Sequence, residues 1–135
     1  MATLQKSLRV DDIDFIKKQK LFFIASVSVA EVNLSPKGYD CLRVIDDKTL
    51  LFMDYPGSGN RIARDIRHGG EVTVLFTAFE GLPKILRLFC KGELIEKNDR
   101  EFEQLFSLFQ MVKTKKLNNY IRPHELPIDL NEVSE

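Results

Sequence analysis

The chain has 135 residues, enough for one domain that buries its own core without a disulfide or a metal to hold it together. Its 20 Lys and Arg residues balance 20 Asp and Glu residues, so it lacks the surplus of basic charge on which nucleic-acid binding usually depends. No apolar stretch reaches the roughly 20 residues that cross a bilayer, and no apolar signal segment opens the sequence. We therefore expect a cytoplasmic protein that binds neither nucleic acid nor membrane.

A helix opens the predicted fold, and strands follow it. Asp11 is a suitable N-cap for this helix, and Ile13 and Ile16 give it an apolar face. Beyond it, the sequence changes to apolar and β-branched runs of the length typical of strands. These runs predict six strands, over residues 21–29, 32–34, 41–45, 49–54, 72–79 and 84–95.

Proline and glycine residues mark the breaks between these elements. Pro36 interrupts the second strand, because proline removes a donor from the hydrogen-bond ladder. Residues 55–59 form a loop that leads into a short helix. Pro123 and Pro127 are expected to stop regular structure near the C-terminus.

The last predicted helix carries an aromatic stripe at helical spacing, formed by Phe102, Leu105, Phe106 and Phe109. Strands with a helix before, between and after them predict a mainly β, α+β fold. We find no repeat, low-complexity segment or linker. The expectation is therefore a single domain over residues 1–135, with a core at about 21–110 and a C-terminal tail at 111–135.

The loop Gly57-Ser58-Gly59 follows a strand and opens a helix, as a dinucleotide fingerprint does. That fingerprint needs a third glycine where Ile62 stands, and a parallel strand–helix alternation that is missing around it. The helix start still suits an anion, because free N–H groups, the helix dipole and Arg61 favour negative charge there. Taken alone, the loop favours the simpler interpretation of a capped turn with a solvated arginine.

Two further cations extend this candidate anion site. Lys37 follows a proline in a break between strands, where its backbone and side chain can face a ligand. Arg87 projects from the long strand on the face opposite the leucines. Taken singly, each is better explained as an exposed charge.

The residues of established catalytic sets do not occur together. His68 lies at a helix end and His124 in the proline-rich tail, and no Ser/His/Asp or metal-ligand spacing connects them. We therefore predict no metal site and name no catalytic residue. Cys41 and Cys90 lie in apolar surroundings and are expected to be buried free thiols. A protein without its own acid, base or metal either performs no chemistry or borrows a cofactor.

Several segments stand in an order and spacing that together point to one family. They are Ser35-Pro36-Lys37-Gly38, Leu42 to Leu50, Gly59-Asn60-Arg61 at the start of a helix, Val72 to Phe76, and Arg87-Leu88 to Gly92. Each is weak evidence alone. Together they cover roughly residues 21–95, and the chain resembles the pyridoxamine 5'-phosphate oxidase-like FMN-binding proteins.

The resemblance implies a six-stranded split β-barrel with flanking helices that forms a homodimer, with FMN in the groove between the subunits. It implies that the segments around Lys37 and Arg61 hold the flavin phosphate, with Arg43 as a further contact, and that Tyr55 and Arg87 line the flavin site. The cofactor-binding residues that it implies are Ser35, Lys37, Gly38, Arg43, Tyr55, Gly59, Asn60, Arg61 and Arg87.

The C-terminal segment departs from the family pattern. Pyridoxamine phosphate oxidases bear Trp, Arg and His residues there for the pyridoxal substrate and the flavin. Residues 119–125 here read Asn-Tyr-Ile-Arg-Pro-His-Glu, and the chain has no tryptophan. We therefore expect a protein that is not a true pyridoxamine phosphate oxidase.

Two hypotheses for function follow from these expectations. The first is an FMN-dependent oxidoreductase that takes a hydride from a nicotinamide donor, NAD(P)H, and passes electrons to a small-molecule acceptor. The second is a non-catalytic module that stores or carries FMN, haem or another phosphate-bearing ligand. A structural dimer with an empty groove is a third. The family resemblance does not choose among them, because its members include flavin reductases, deazaflavin-dependent enzymes and haem-handling proteins.

Overall fold

Antiparallel strands make up most of the structure. The computed structural model describes residues 4–38, 40–54, 61–110 and 124–134. Within these ranges every strand pairing is antiparallel. The elements in chain order are β1 (Leu4–Gln5), α1 (Val10–Lys18), β2 (Phe22–Val27), β3 (Val32–Lys37), β4 (Leu42–Asp46), β5 (Thr49–Met53), α2 (Arg61–His68), β6 (Glu71–Thr77), β7 (Ile85–Gly92), β8 (Ile95–Glu96), α3 (Phe102–Gln110) and β9 (His124–Ser134).

The strands form one sheet in the order β3-β2-β6-β7-β9-β5-β4, with β1 and β8 each paired to β9. The six predicted strands correspond to β2 through β7, which confirms the mainly β prediction. The sixth ends earlier than predicted, because the chain leaves the sheet at Glu93 and Leu94 before it re-enters as β8.

The C-terminal residues form a strand where the sequence predicts none. β9 lies between β7 and β5, so part of the expected tail belongs to the sheet. On the side of β9 that faces away from β5, residues 128–134 pair with β7, and His124 and Glu125 pair with β8. Pro127 lies between these two paired stretches and has no partner on that side in the described part of the chain. A residue without an N–H can occupy this gap without breaking a ladder.

Pro36 also lies within a strand rather than ending one. β3 continues to Lys37 and is an edge strand, paired on one side only among the described residues. An edge strand tolerates a proline, because the N–H positions on its open side have no partner to lose. The predicted break in the second strand is therefore wrong, and Ser35 and Lys37 belong to a regular strand.

The first helix begins two residues earlier than the predicted cap at Asp11 would place it. Arg9 is the N-cap residue, and its N–H donates to the buried carboxylate of Asp12 at 3.0 Å. The carboxylate thus satisfies a donor that a helix start leaves open. No helix in the described ranges has the length and apolar character needed to cross a membrane.

Alternation along the strands places one side of β2, β6 and β7 in a common core. Phe22 is central to it, stacked on Phe76 at 5.4 Å between ring centroids and edge-on to Phe52 at 6.2 Å. From the predicted stripe of α3, Phe102 and Phe109 are buried. Among the described residues, phenylalanine therefore supplies the aromatic part of the core, as its abundance in the sequence indicates.

Two glycines allow α2 to approach the sheet closely. Gly70 follows the helix with φ +84°, a left-handed conformation that favours glycine, and its carbonyl accepts the N–H of Gly92 at 2.6 Å. A Cβ atom on Gly92 would lie 2.8 Å from the side chain of Ile66. β7 therefore carries glycine where α2 packs, and this contact helps to hold the helix that begins at Arg61.

Candidate cofactor-binding site

One face of β3 aligns three polar side chains. Asn33, Ser35 and Lys37 alternate along the strand, and residues two apart on a strand share a face. The Oγ atom of Ser35 is shielded from solvent and has no hydrogen-bond partner among the described residues. Because a buried hydroxyl without a partner costs free energy, this atom is suited to a ligand that can supply one.

Lys37 lies beside a buried carboxylate at the end of β5. Its Nζ atom is 3.9 Å from Oδ1 of Asp54 and 5.5 Å from the ring centroid of Phe52, and its side chain is 23% exposed. The separation from Asp54 exceeds a hydrogen-bond length, so the pair orients the ammonium without occupying its donors. The ammonium is therefore oriented and still able to bind an anion.

Gly38 marks a close approach between two backbones. A Cβ atom at this position would lie 3.2 Å from the carbonyl oxygen of Lys20, just before β2. A larger residue would have to push the end of β3 away from Lys20. Glycine therefore keeps the backbone next to Lys37 close to β2.

Arg61 is the first residue of α2, and its side chain is exposed. No hydrogen bond or ion pair involves its guanidinium within the described ranges. The first turn of a helix presents N–H groups and the positive end of the dipole. Arg61 thus places an available cation where an anion is already favoured.

Arg43, in contrast, has its guanidinium engaged by other parts of the chain. It donates to Asp40 at 2.7 and 3.1 Å and to the carbonyl of Leu108 at 3.4 Å, and it lies 4.8 Å from the ring centroid of Phe109. These contacts join β4 to α3 and to the segment after β3. Its role at a phosphate stays a prediction, whereas its role in attaching α3 is visible in the structure.

Arg87 lies on the outer face of the sheet. It is exposed and shares one cross-strand row with Pro36, Phe23 and Leu75. Neighbouring strands are about 4.8 Å apart, so the three steps of this row span roughly 14 Å along the sheet. Lys37 follows Pro36 and points to the opposite face, so one chain does not bring Lys37 and Arg87 together.

Three of the predicted cofactor-binding residues, Tyr55, Gly59 and Asn60, lie outside the described residues. The sequence interpretation also missed polar residues that the structure brings into the interior, Ser26, Asn33, Asp54 and Asp65. Ser26 and Asp65 do carry a sequence signal, because each is a polar residue on the apolar face of its strand or helix.

The cysteines, His68 and the acidic residues give no direct sign of catalysis in the described part of the chain. Cys41 and Cys90 are buried free thiols, as predicted. Burial raises the pKa of the Cys41 thiol to about 12, although Lys37 acts in the opposite direction, so the thiol stays protonated at neutral pH. His68 places Nδ1 2.8 Å from the carbonyl oxygen of Arg64. In the described part of the chain, no three His, Cys, Asp or Glu residues are grouped so that they could hold a metal ion.

Solved structures that share this fold include proteins from several bacteria. HupZ of Group A Streptococcus matches with a TM-score of 0.72 and 20% identity over 93% of this chain and 91% of that chain. An FMN-binding protein of Syntrophomonas wolfei matches with a TM-score of 0.64 and 13% identity, over 88% of this chain and 78% of the other. HutZ of Vibrio cholerae, described as a heme storage protein, gives a TM-score of 0.64 with 12% identity over 87% and 84% of the two chains.

Sequence comparison adds the family. The family model for pyridoxamine 5'-phosphate oxidase matches residues 13–124. The pyridoxamine 5'-phosphate oxidase family protein ustO of Aspergillus flavus is 34% identical over 106 residues, which cover 76% of this chain. The match spans 43% of that relative, so the chain corresponds to less than half of its length. The split β-barrel expectation agrees with this match and with the shared fold, and the chain belongs to the pyridoxamine 5'-phosphate oxidase family.

Proposed function

We propose that the protein binds FMN as a homodimer and acts as a flavin-dependent oxidoreductase. The observation that carries this proposal is the placement of Lys37 and Arg87 on opposite faces of one sheet, roughly 14 Å apart along it. The family resemblance assigns both residues to the flavin. Both can contact one flavin if Arg87 is contributed by a second copy of the chain. The site would then be complete only across the dimer interface.

The outer face of β3, β2, β6 and β7 offers a surface for that second copy. Its exposed apolar side chains are Val27, Val32, Leu34, Ile85 and Phe89. Val27 lies opposite Val32, and Leu34 shares a cross-strand row with Phe89 through Ala25 and Thr73, so these side chains lie on one face of the sheet. Exposed apolar side chains gathered on one face are typical of interfaces, and the zero net charge does not oppose self-association.

Ser35, Lys37 and Arg61 provide suitable chemistry for the phosphate of FMN. Ser35 has a shielded hydroxyl that finds no hydrogen-bond partner in the described ranges, and Lys37 has an ammonium held in position by Asp54. Arg61 adds a guanidinium that can form a bidentate, charge-assisted pair with phosphate oxygens. A phosphate would satisfy the hydroxyl and neutralise the two cations together.

The chain's own residues would bind and orient the cofactor in this proposal. Bound FMN supplies hydride and electron transfer between a nicotinamide donor and a small acceptor. Arg87 would place a permanent positive charge beside the flavin, and the apolar face around it would exclude water when a second copy covers it. The FMN-binding neighbour from Syntrophomonas wolfei supports a flavin as the ligand.

Pyridoxine phosphate is not the electron donor in this proposal, so the protein would not oxidise it efficiently to pyridoxal phosphate. The departure of residues 119–125 from the family pattern and the absence of tryptophan in the chain support this distinction. We also place the protein in the cytoplasm, where reduced thiols such as those of Cys41 and Cys90 persist.

Absorbance spectroscopy of the purified protein tests the proposal. We expect a yellow protein, or one that becomes yellow with FMN, whose two visible flavin bands bleach on anaerobic addition of NAD(P)H. A sharp Soret band would identify haem as the ligand, as the likeness to HutZ allows, and would overturn the flavin assignment. Flavin bands that do not bleach would refute the oxidoreductase and leave a flavin carrier. No binding of either ligand would overturn both.

A further inference from the structure

A buried carboxylate ties α2 to the strand that carries Ser35 and Lys37. Asp65 is 1% exposed and accepts a hydrogen bond from Oγ of Ser26 at 2.7 Å. Ser26 lies on β2 opposite Asn33 of β3, and Asn33 donates from Nδ2 to the same Oγ at 3.4 Å. Asp65, Ser26 and Asn33, here called the Asp65 network, thus connect the helix through β2 to β3.

Arg64 attaches the outer side of the same network to the turn between β2 and β3. Its Nε atom donates to the second oxygen of Asp65 at 3.0 Å, and its NH2 group donates to Glu31 at 2.8 Å. Both carboxylate oxygens of Asp65 therefore have donors, so the buried acid is well satisfied. The network and Arg64 together hold one orientation of α2 against β2 and β3.

The network occupies a place that a hydrophobic contact could fill. Asp65 lies on the buried face of α2 between Ile62 and Ile66. Replacing buried polar pairs by apolar residues of similar size is often neutral or stabilising, so stability alone does not call for a carboxylate here. A satisfied polar network has directional bonds, and it therefore favours one helix position over neighbouring ones.

The position that it fixes matters for the cations of the candidate site. Arg61 precedes Asp65 by one helical turn, about 6 Å along the axis. Ser35 and Lys37 follow Asn33 on the same face of β3, at steps of about 6.6 Å. Residues 61–65 of α2 and residues 33–37 of β3 are both short regular segments. Joining Asp65 to Asn33 through Ser26 therefore sets where Arg61 lies relative to Ser35 and Lys37.

We propose that Asp65 is a positioning residue for the phosphate subsite, acting through Ser26 and Asn33 to set Arg61 against Ser35 and Lys37. This inference depends on the proposed binding of FMN. It assigns Asp65 no contact with the ligand. Loss of the network should therefore weaken the phosphate contribution to binding and spare the contacts to the flavin ring.

The test compares FMN and riboflavin, which lacks the phosphate, in wild type, Asp65→Asn and a matched control. Asp12→Asn is the control, because Asp12 is also a fully buried carboxylate but lies on α1, bonded to Arg9 and Lys84. Fluorescence titration gives both dissociation constants, and thermal unfolding gives stability. We expect Asp65→Asn to raise the FMN constant about three- to tenfold and to leave riboflavin within about twofold. Asp12→Asn should lower the melting temperature and leave the ratio of the two constants at its wild-type value.

Ser26→Ala is the second variant, because it removes the link to Asn33 while leaving the carboxylate in place. We expect Ser26→Ala to raise the ratio of the FMN constant to the riboflavin constant as well. This variant can therefore decide the test if Asp65→Asn does not fold. An unchanged ratio in either folded variant, with only a lower melting temperature, would overturn the positioning role. Wild-type protein that binds FMN and riboflavin equally would instead refute the phosphate site of the proposed function.

Discussion

Lys84 and Asp12 form an ion pair, with Nζ of Lys84 3.1 Å from Oδ1 of Asp12, although they are 72 residues apart in the sequence. Asp12 is fully buried, and the same ammonium lies 5.0 Å from the ring centroid of Phe15. The pair fastens α1 to the residue that precedes β7. Asp12 also pairs with Arg9, but a buried carboxylate that loses one of its two cations is still destabilised, so this contact should matter for stability.

Lys84→Met is therefore expected to lower the free energy of unfolding by about 2 kcal/mol, less than for a fully buried pair because a quarter of Lys84 is exposed. Urea denaturation measures the change. Lys91→Met is the control, because its pair with Glu71, at 3.5 Å, is largely exposed and should contribute less than about 0.5 kcal/mol. Equal losses in the two variants would contradict the role assigned to burial.

Arg61→Ala should weaken FMN binding by removing a charge-assisted contact of about 1.5–3 kcal/mol, which corresponds to roughly ten- to hundredfold in affinity. Riboflavin binding should hardly change, because the lost partner is the phosphate. Fluorescence titration of both flavins measures the difference. Arg67→Ala is the control on the same helix, since Arg67 is exposed and paired with Glu96 at 2.7 Å. Equal losses for both flavins would make Arg61 an ordinary surface charge.

Leu34→Asp should separate the proposed dimer into monomers, because it would bury a carboxylate in an apolar interface. Sedimentation equilibrium follows the change from a dimer to a 15.6 kDa species. Leu82→Asp is the control. The exposed fraction of Leu82 is 89%, against 66% for Leu34, but Leu82 lies in the turn after β6 and off the outer face. This variant should remain dimeric. Wild-type protein that is monomeric at tens of micromolar would overturn the homodimer itself.

The Cys41 thiol should be inert at neutral pH and should make the fold sensitive to alkali. Its pKa is raised from 9.0 to about 12 by burial, so the folded state keeps a proton that the unfolded state releases. This contribution to stability is complete below pH 9 and is lost as the pH rises towards 12. Cys41→Ala should flatten the decline of the melting temperature over this window. Native protein should also resist a thiol reagent that labels the unfolded chain, and rapid native labelling would contradict the burial.

The strands that sequence predicts well are those whose side chains alternate between core and solvent. In β7, Leu86, Leu88 and Cys90 are buried and the residues between them are exposed, as their order indicates. β9 carries a similar alternation, in Leu126, Ile128 and Leu130, which the prediction that Pro127 stops regular structure does not take into account. The structure places these three opposite buried residues of β5 and β7. A gap in strand pairing, which no local pattern reveals, is what lets the proline fit.

The residues of the candidate site also divide into those that the sequence predicts and those that only the structure reveals. The segments containing Lys37, Arg61 and Arg87 could be recognised because their order along the chain matches a family. The bond between Ser26 and Asp65 could not, since the residues are 39 positions apart and meet only when α2 packs on β2. Likewise, it becomes apparent that Lys37 and Arg87 lie on opposite faces of the sheet only when strand register is known.

The place of β9 in the sheet has a consequence for how the protein forms during synthesis. β5 and β4 connect to β7 only through β9 in the described sheet, and β1 also pairs with β9, with Leu4 opposite Ser134. The strand that joins the two halves and pairs with β1 is thus synthesised after all the other described strands. Such distant pairing gives a high contact order, so completion of the sheet should be slow. Until then, the edges of β7 and β5 stay open, and a nascent chain is most prone to aggregation there.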